Sequence, residues 1–166
     1  MDAIEFAPCD LVRHSGQWLT AVKRLPNGRW RRHRLVLIWF ADAVVPGNNV
    51  DLPALVAAMS THCLDVVSLS HGDQAEFERQ WGPSPHYTHM MSHGGGALGR
   101  RTNHVEFNFN LMRAWAFECF QELVDPHFNS IGYGVDIMFP RICGGLKSSG
   151  RLELAVIDSM TMSKAV

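Results

Sequence analysis

Hydrophobic and polar positions change period several times along this chain, and each change predicts an element. Two strand-like runs, Trp18 to Leu25 and Arg29 to Phe40, flank Pro26-Asn27-Gly28. Asn-Gly between such runs predicts a hairpin. The second run ends in Leu35-Val36-Leu37-Ile38-Trp39-Phe40, apolar on both faces, which predicts a central strand in a sheet covered on both sides. From Asp51 to His62 the period is helical: Leu52, Leu55, Val56 and Met59 form one stripe, Asp51 can cap it and Pro53 suits the first turn. Asp65 to Leu69 is the next strand, so a right-handed parallel crossover is expected. His71 to Gly99 follows neither period, and its prolines and Gly94-Gly95-Gly96 predict a long loop. His104 to Phe109 alternates like a strand. Met112 to Leu123 is helical, with Trp115, Cys119 and Leu123 on one side. Asp125 to Gly134 is irregular, Val135 to Ile142 reads as a short helix, and Leu152 to Ile157 as a strand. The expected class is α/β, a mixed, mostly parallel sheet flanked by helices.

Composition narrows this picture. With 166 residues, 46% hydrophobic and 19% charged, the chain is too apolar to be disordered. It divides into an N-terminal hairpin or extension, 1–34, and an α/β domain, 35–166. The formal net charge of -1 predicts no nucleic-acid or membrane partner from bulk charge. No apolar run approaches the roughly 20 residues of a membrane span. Asp2 and Glu5 stand where a signal peptide is basic, so a cytoplasmic location is expected. Cys9, Cys63, Cys119 and Cys143 contain no C-x-x-C pair and read as buried free thiols in a reducing compartment.

Five constellations can carry chemistry. Asp42 follows the Leu35 to Phe40 run, where open α/β sheets place ligand contacts; a turn or capping role competes. In Gly132-Tyr133-Gly134-Val135-Asp136 the glycines permit a tight path and the ring an apolar platform, or the motif is a turn with Asp136 as N-cap. Glu106, in Arg101-Thr102-Asn103-His104-Val105-Glu106, interrupts an apolar alternation and is either a ligand contact or a surface residue. His86, His89 and His93 have a spacing suited to zinc, but the flanking prolines and glycines argue against a helix and no intrinsic zinc site is expected. Lys23, Arg24, Arg29, Arg31, Arg32 and Arg34 surround Trp30; they suit phosphates or single-stranded nucleic acid, or form one solvated hairpin face.

Taken in order, Trp39-Phe40-Ala41-Asp42-Ala43-Val44, Cys63-Leu64-Asp65-Val66-Val67-Ser68-Leu69, Thr102-Asn103-His104-Val105-Glu106, Gly132-Tyr133-Gly134-Val135-Asp136 and Ile157-Asp158 resemble the domain-of-unknown-function 707 family. Members of that family look like glycosyltransferases with a GT-A fold. The resemblance spans about residues 35 to 164 and implies a truncated GT-A-like domain that transfers sugar from a nucleotide-sugar donor to a carbohydrate acceptor. It implies Asp136 as general base, Asn103 and Glu106 as sugar contacts, Asp42 as a contact to nucleotide ribose or residual metal, and Trp39 and Tyr133 as substrate-binding rings. The family's aspartate run keeps only Asp42, followed by Ala43 and Val44, and Ser163-Lys164 stands where the pattern has a His. No metal ligand is therefore assigned; a divalent cation such as manganese is expected only where the site is still competent. A non-catalytic relative that binds carbohydrate, nucleotide or protein is the alternative. Under the transferase reading Asp42, Glu106 and Asp136 converge on one cleft at the C-terminal ends of strands.

Overall fold

The computed structural model describes residues 17–25, 30–40, 43–45, 50–72, 78–79, 82, 91–92, 96–129, 132 and 134–164. In chain order the elements are α1 (Trp18–Arg24), a single 3-10 turn (Trp30–Arg32), β1 (Leu35–Trp39), β2 (Ala43–Val44), α2 (Leu52–Thr61), β3 (Val66–His71), β4 (Gly99–Thr102), β5 (Phe109–Arg113), α3 (Ala114–Leu123), α4 (Val135–Gly145) and β6 (Leu154–Lys164). The strands form one sheet in the order β1-β5-β3-β6-β2, with β4 also paired to β6.

The class is α/β, and the sheet is mixed. Its one parallel pairing between named strands is β3 with β6, and His71 adds an isolated parallel bridge to Met91; β5 runs antiparallel to both β1 and β3. The expectation of a mostly parallel sheet is corrected accordingly. β1, β3 and β6 still share one direction, so their C-terminal ends lie along one edge of the sheet. The predicted strand–helix–strand unit places β1 and β3 parallel but not adjacent, because β5 comes between them.

That insertion overturns a second expectation. Leu35 to Phe40 is not central: β1 closes the sheet at one end. Its two-sided hydrophobicity has another cause. Ile38 is buried on one face, while Trp39 sets its ring edge on Phe109 at 5.4 Å on the other. Leu37 and Trp39 stay 36% and 52% exposed. The central strand is β3, in which all six residues are buried.

Helices cover both faces. On one side α2 packs Leu55 and Met59 against Val67, Leu69, Phe109, Leu111, Ala155 and Ile157. The Asp51 carboxylate accepts the Ala54 N–H at 2.9 Å and caps α2 as expected. Val56 turns out of the predicted stripe and is exposed. On the other side α1, α3 and α4 pack on Ile38, Val66, Met112, Leu154 and Val156. An aromatic layer joins them: Trp18 meets Phe40 at 4.8 Å, Phe107 stacks on Phe120 at 4.5 Å, and Phe120 meets Phe139 edge-on at 5.5 Å.

This layer explains why the predicted hairpin is absent. Trp18 to Arg24 is helical, not a strand. Leu19 and Val22 both enter the same core, and a separation of three residues puts them on one side of a helix but on opposite faces of a strand. Two basic residues of this region bind α3 from exposed positions. Lys23 Nζ donates to the Gln121 carbonyl at 3.1 Å, near the C-terminus of α3, and Arg31 pairs with Glu118. Arg29 lies outside the described residues.

Two further boundaries move. His104 to Phe109 is not a strand; residues 104–108 form a connection and β5 begins at Phe109. Val105 and Phe107 alternate because both enter the helix-side core from this connection. Met112 ends up in β5, so α3 begins at Ala114; its buried residues are Ala116, Phe117, Cys119, Phe120 and Gln121, while Trp115 is exposed. No described helix is long and apolar enough to cross a membrane.

The opposite edge of the sheet is held by charge. Asp65, 2% exposed, accepts Lys147 Nζ at 2.6 Å and the Glu153 N–H at 2.9 Å, with Arg113 Nε 3.8 Å away. A buried carboxylate is tolerable when its oxygens are matched in this way.

The free-thiol expectation is also corrected. Cys119 of α3 and Cys143 of α4 form a disulfide across 24 residues, their Cα atoms 6.0 Å apart. The packing of the two helices brings together cysteines that no local motif links. Cys63 is free but exposed, and Cys9 lies outside the described residues. The cysteines thus carry no argument for a reducing compartment.

Replacing Cys119 and Cys143 together by Ser should lower unfolding free energy by about 2–4 kcal/mol, the usual range for a loop of this size. Denaturant melts of both proteins under oxidising conditions measure this. A difference that vanishes when reductant is added identifies the crosslink as the cause.

Candidate functional site

The connection between β4 and β5 builds the site. Val105 and Phe107 are 0% and 6% exposed and anchor it in the helix-side core. Thr102 tightens its start: the hydroxyl donates to the His104 carbonyl at 2.9 Å and accepts the His104 N–H at 3.3 Å. His104 and Glu106 flank the anchored Val105 and stay partly exposed.

Each reaches a partner on a different element. His104 Nε2 lies 2.8 Å from Asp136 Oδ2 in the first turn of α4. Glu106 Oε2 lies 3.6 Å from Nε2 of His71, the last residue of β3, whose side chain is 3% exposed. A third pair closes the same edge: the Arg100 guanidinium of β4 binds the Asp158 carboxylate of β6 and donates to the Met91 carbonyl at 2.6 Å. Three ion pairs therefore tie the connection to the elements around it: His104–Asp136, His71–Glu106 at the C-terminal end of β3, and Arg100–Asp158.

The glycine motif sets the start of α4 against this connection. Gly134, at φ 79°, is the residue from which α4 starts, so Asp136 sits in the first turn rather than at the N-cap. There its second oxygen accepts the Ile137 N–H at 3.1 Å, and a carboxylate in a first turn also complements the helix dipole. Gly132 has φ 80° and lies against the Trp18 ring, where an added Cβ would come within 2.7 Å. Only glycine satisfies both demands.

Of the residues the sequence singled out, Asp136 contacts His104 and Glu106 contacts His71. Asn103 is exposed in the bend just before His104. Trp39 does not join them. It packs on Phe109, part of the α2-side core, and its Nε1 donates to the Ala43 carbonyl at 2.8 Å. Asp136 opens α4, which packs on the opposite, helix-rich side. Asp42 and Tyr133, with His86, His89 and His93, lie outside the described residues.

The chain matches no family model, no curated protein and no solved structure. Its chemistry is therefore argued from the residues themselves.

The groups around Asp42 do not suit a hard cation. Ala43 is apolar and 5% exposed, and the β2–β6 register sets Lys164 opposite Ala43 and Ser163 opposite Val44. Manganese and magnesium want several anionic oxygens. Asp158, the next carboxylate of the motif order, is bound to Arg100. Among the described residues no three His, Cys, Asp or Glu side chains are grouped to hold a metal.

Several residues here were not singled out from the sequence: His71, Arg100, His104 as a partner for Asp136, and the buried Ser68, Ser70, Asn108 and Asn110. A signal existed for the last four. Val66-Val67-Ser68-Leu69-Ser70-His71 and Phe107-Asn108-Phe109-Asn110-Leu111 place polar groups at every second position of otherwise apolar runs.

Calorimetric titration with manganese should give no saturable binding in the micromolar range. Introducing A43D, V44D and K164H together should create it if residues 43 and 164 face one site. His86, His89 and His93 are changed to Gln in both proteins so that adventitious histidine binding does not contribute. Equal affinity in the two proteins would place the cation elsewhere.

Proposed function

We propose that this chain is a glycosyltransferase-like domain that moves a sugar from a nucleotide-sugar donor to a hydroxyl of a carbohydrate acceptor. One observation carries the reading. The His104–Asp136 contact sets the first-turn carboxylate of α4 beside the connection that holds Glu106. Glu106 in turn meets His71 at the C-terminal end of β3, the end of the sheet where open α/β folds usually hold ligands.

In this reading Asp136 is the general base. It takes the proton of the acceptor hydroxyl, whose oxygen attacks the anomeric carbon as the bond to the nucleoside diphosphate breaks. His104 positions the carboxylate through its Nε2. Glu106 and Asn103 contact sugar hydroxyls. Asp42 contacts the nucleotide ribose, and Tyr133 and Trp39 supply apolar surface for the nucleotide and acceptor. No step passes through a metal, because the residues about Asp42 do not fit one.

A second reading is favoured by a specific feature. Both oxygens of Asp136 already accept hydrogen bonds, from His104 and from the Ile137 N–H. Neither oxygen is then left free for an acceptor hydroxyl, and the same site serves a non-catalytic protein that binds carbohydrate, nucleotide or a partner chain.

A panel of uridine and guanosine diphosphate sugars, with and without manganese, separates the two readings. Under the first, sugar release is detected, and Asp136→Asn lowers kcat by roughly 10²–10⁴-fold, the range for loss of a general base, with little change in KM. Under the second, donors bind without turnover and D136N shifts affinity alone. Absence of both binding and turnover rejects both.

A further inference from the structure

The two ends of the strand order differ in how they are protected. At the far end the outer neighbour of β6 changes along its length, from β4 to the two-residue β2. β4 carries Arg100 and Arg101, and Lys164 stands opposite Ala43. Short edge strands and charged side chains are the usual means by which a sheet avoids pairing with another chain. β1 has neither. Its residues, Leu35-Val36-Leu37-Ile38-Trp39, include no charge, proline or glycine, and they pair with β5 in one unbroken register.

Backbone geometry identifies the groups that β1 leaves open. In an antiparallel pair, alternate residues turn both N–H and C=O toward the partner strand. Two bonds just outside β1 set the parity. The Phe40 N–H donates to the Asn108 carbonyl at 2.9 Å, and the Arg34 carbonyl accepts the Ala114 N–H at 3.1 Å. The even-numbered Val36 and Ile38 therefore bond to Met112 and Asn110 of β5. Leu35, Leu37 and Trp39 turn their N–H and C=O groups the other way, off the end of the sheet. None of these groups has a backbone partner among the described residues. Leu37 and Trp39 are also the exposed side chains of the strand. The Trp39 ring is already fixed by the Ala43 carbonyl and by Phe109, so covering it costs little side-chain entropy.

We propose that β1 is a dimer interface: two copies of this chain pair their β1 strands antiparallel about a twofold axis at Leu37, joining two sheets into one. The parity of the open groups selects this register. A twofold at Leu37 sets Leu37 opposite Leu37 of the second copy and Leu35 opposite its Trp39. Every open N–H and C=O of one strand then meets its counterpart in the other. Moving the axis by one residue either way leaves Leu35 or Trp39 beyond the end of the second strand. Leucine and tryptophan side chains face one another along the whole contact. Charge selects the direction. His33 and Arg34, both exposed, precede each strand. Antiparallel pairing sends these residues of the two copies to opposite ends of the ribbon, whereas parallel pairing sets like charges side by side. The contact uses up the open edge of each copy, so assembly closes at two. Nothing in it rests on the transfer reading.

The test uses the full chain. Five residues a side make a small contact of the weak class, and a Kd of about 10–100 µM is expected. Sedimentation equilibrium should show monomer passing to dimer between about 1 µM and 1 mM. Leu37→Lys and Leu37→Glu each set like charges face to face on the axis and should weaken the dimer about tenfold or more. An equimolar mixture of L37K and L37E should restore it, because each charge then meets its opposite. Ile142→Lys, on the exposed surface of α4, should leave the dimer unchanged. A wild-type monomer throughout the range overturns the proposal. So does a dimer that survives L37K and L37E, one that is lost in I142K, or a mixture that stays monomeric. Site-resolved amide hydrogen exchange on wild type needs no variant and decides the matter if the Leu37 variants fail to fold. Val36 and Ile38 should be protected at every concentration, but Leu35, Leu37 and Trp39 only where the dimer is populated. Protection of those three in the monomer, or its absence in the dimer, overturns the proposal.

Discussion

The insertion of β5 between β1 and β3 is the constraint on which the rest of this structure depends. Five residues, Phe109–Arg113, pair with β1 along their whole length and with β3 through Asn110, Leu111 and Met112. A slip of one residue would exchange the two faces, sending Phe109 and Leu111 toward α1 and α3 and Met112 toward α2. The same register sets Asn110 opposite Ser68. It also fixes where the preceding connection enters the sheet, and hence where His104 and Glu106 find their partners. Leaving β5, the chain turns directly into α3, so one strand positions both Asn110 and the helix that packs behind it.

The two ends of the sheet are built on opposite principles. At the start of β3, Asp65 is buried with its Oδ2 accepting both Lys147 and a backbone N–H and its Oδ1 near Arg113, and Lys147 also lies over the Trp115 ring at 5.7 Å. That end is satisfied and serves to hold β3, β6 and the C-terminus of α4 together. At the other end of β3, the buried His71 meets the partly exposed Glu106, and Ser70, Asn108 and Asn110 carry buried polar atoms without matches. The aromatic layer of Trp18, Phe107, Phe120 and Phe139, with the Cys119–Cys143 disulfide, keeps α4 in register between them.

Much of the local structure was legible from residue order. The α2 helix with its Asp51 cap, the strand at β3, the helix following Gly134 and the final strand all follow from periodicity and capping, because those signals act within one or two turns of chain. Glu106 and Asp136 were visible as polar interruptions at the borders of apolar runs. His104 stood in the same motif, but a neutral-looking histidine beside a strand carries no mark of the carboxylate it meets 32 residues later.

By itself the sequence determined the α/β class, the identity of most helices and strands, and the two carboxylates of the site. Tertiary structure alone decided that Trp18 to Arg24 is a helix, that β1 lies at the end of the sheet and β3 at its centre, that Cys119 meets Cys143, and that Trp39 packs on Phe109. The physical reason is common to these. An apolar run specifies burial but not the partner that buries it, and a strand arriving some seventy residues later can take the central place that its two-sided hydrophobicity reserved for β1. Pairings between distant segments depend on the summed packing of both faces, and no window of sequence contains that sum.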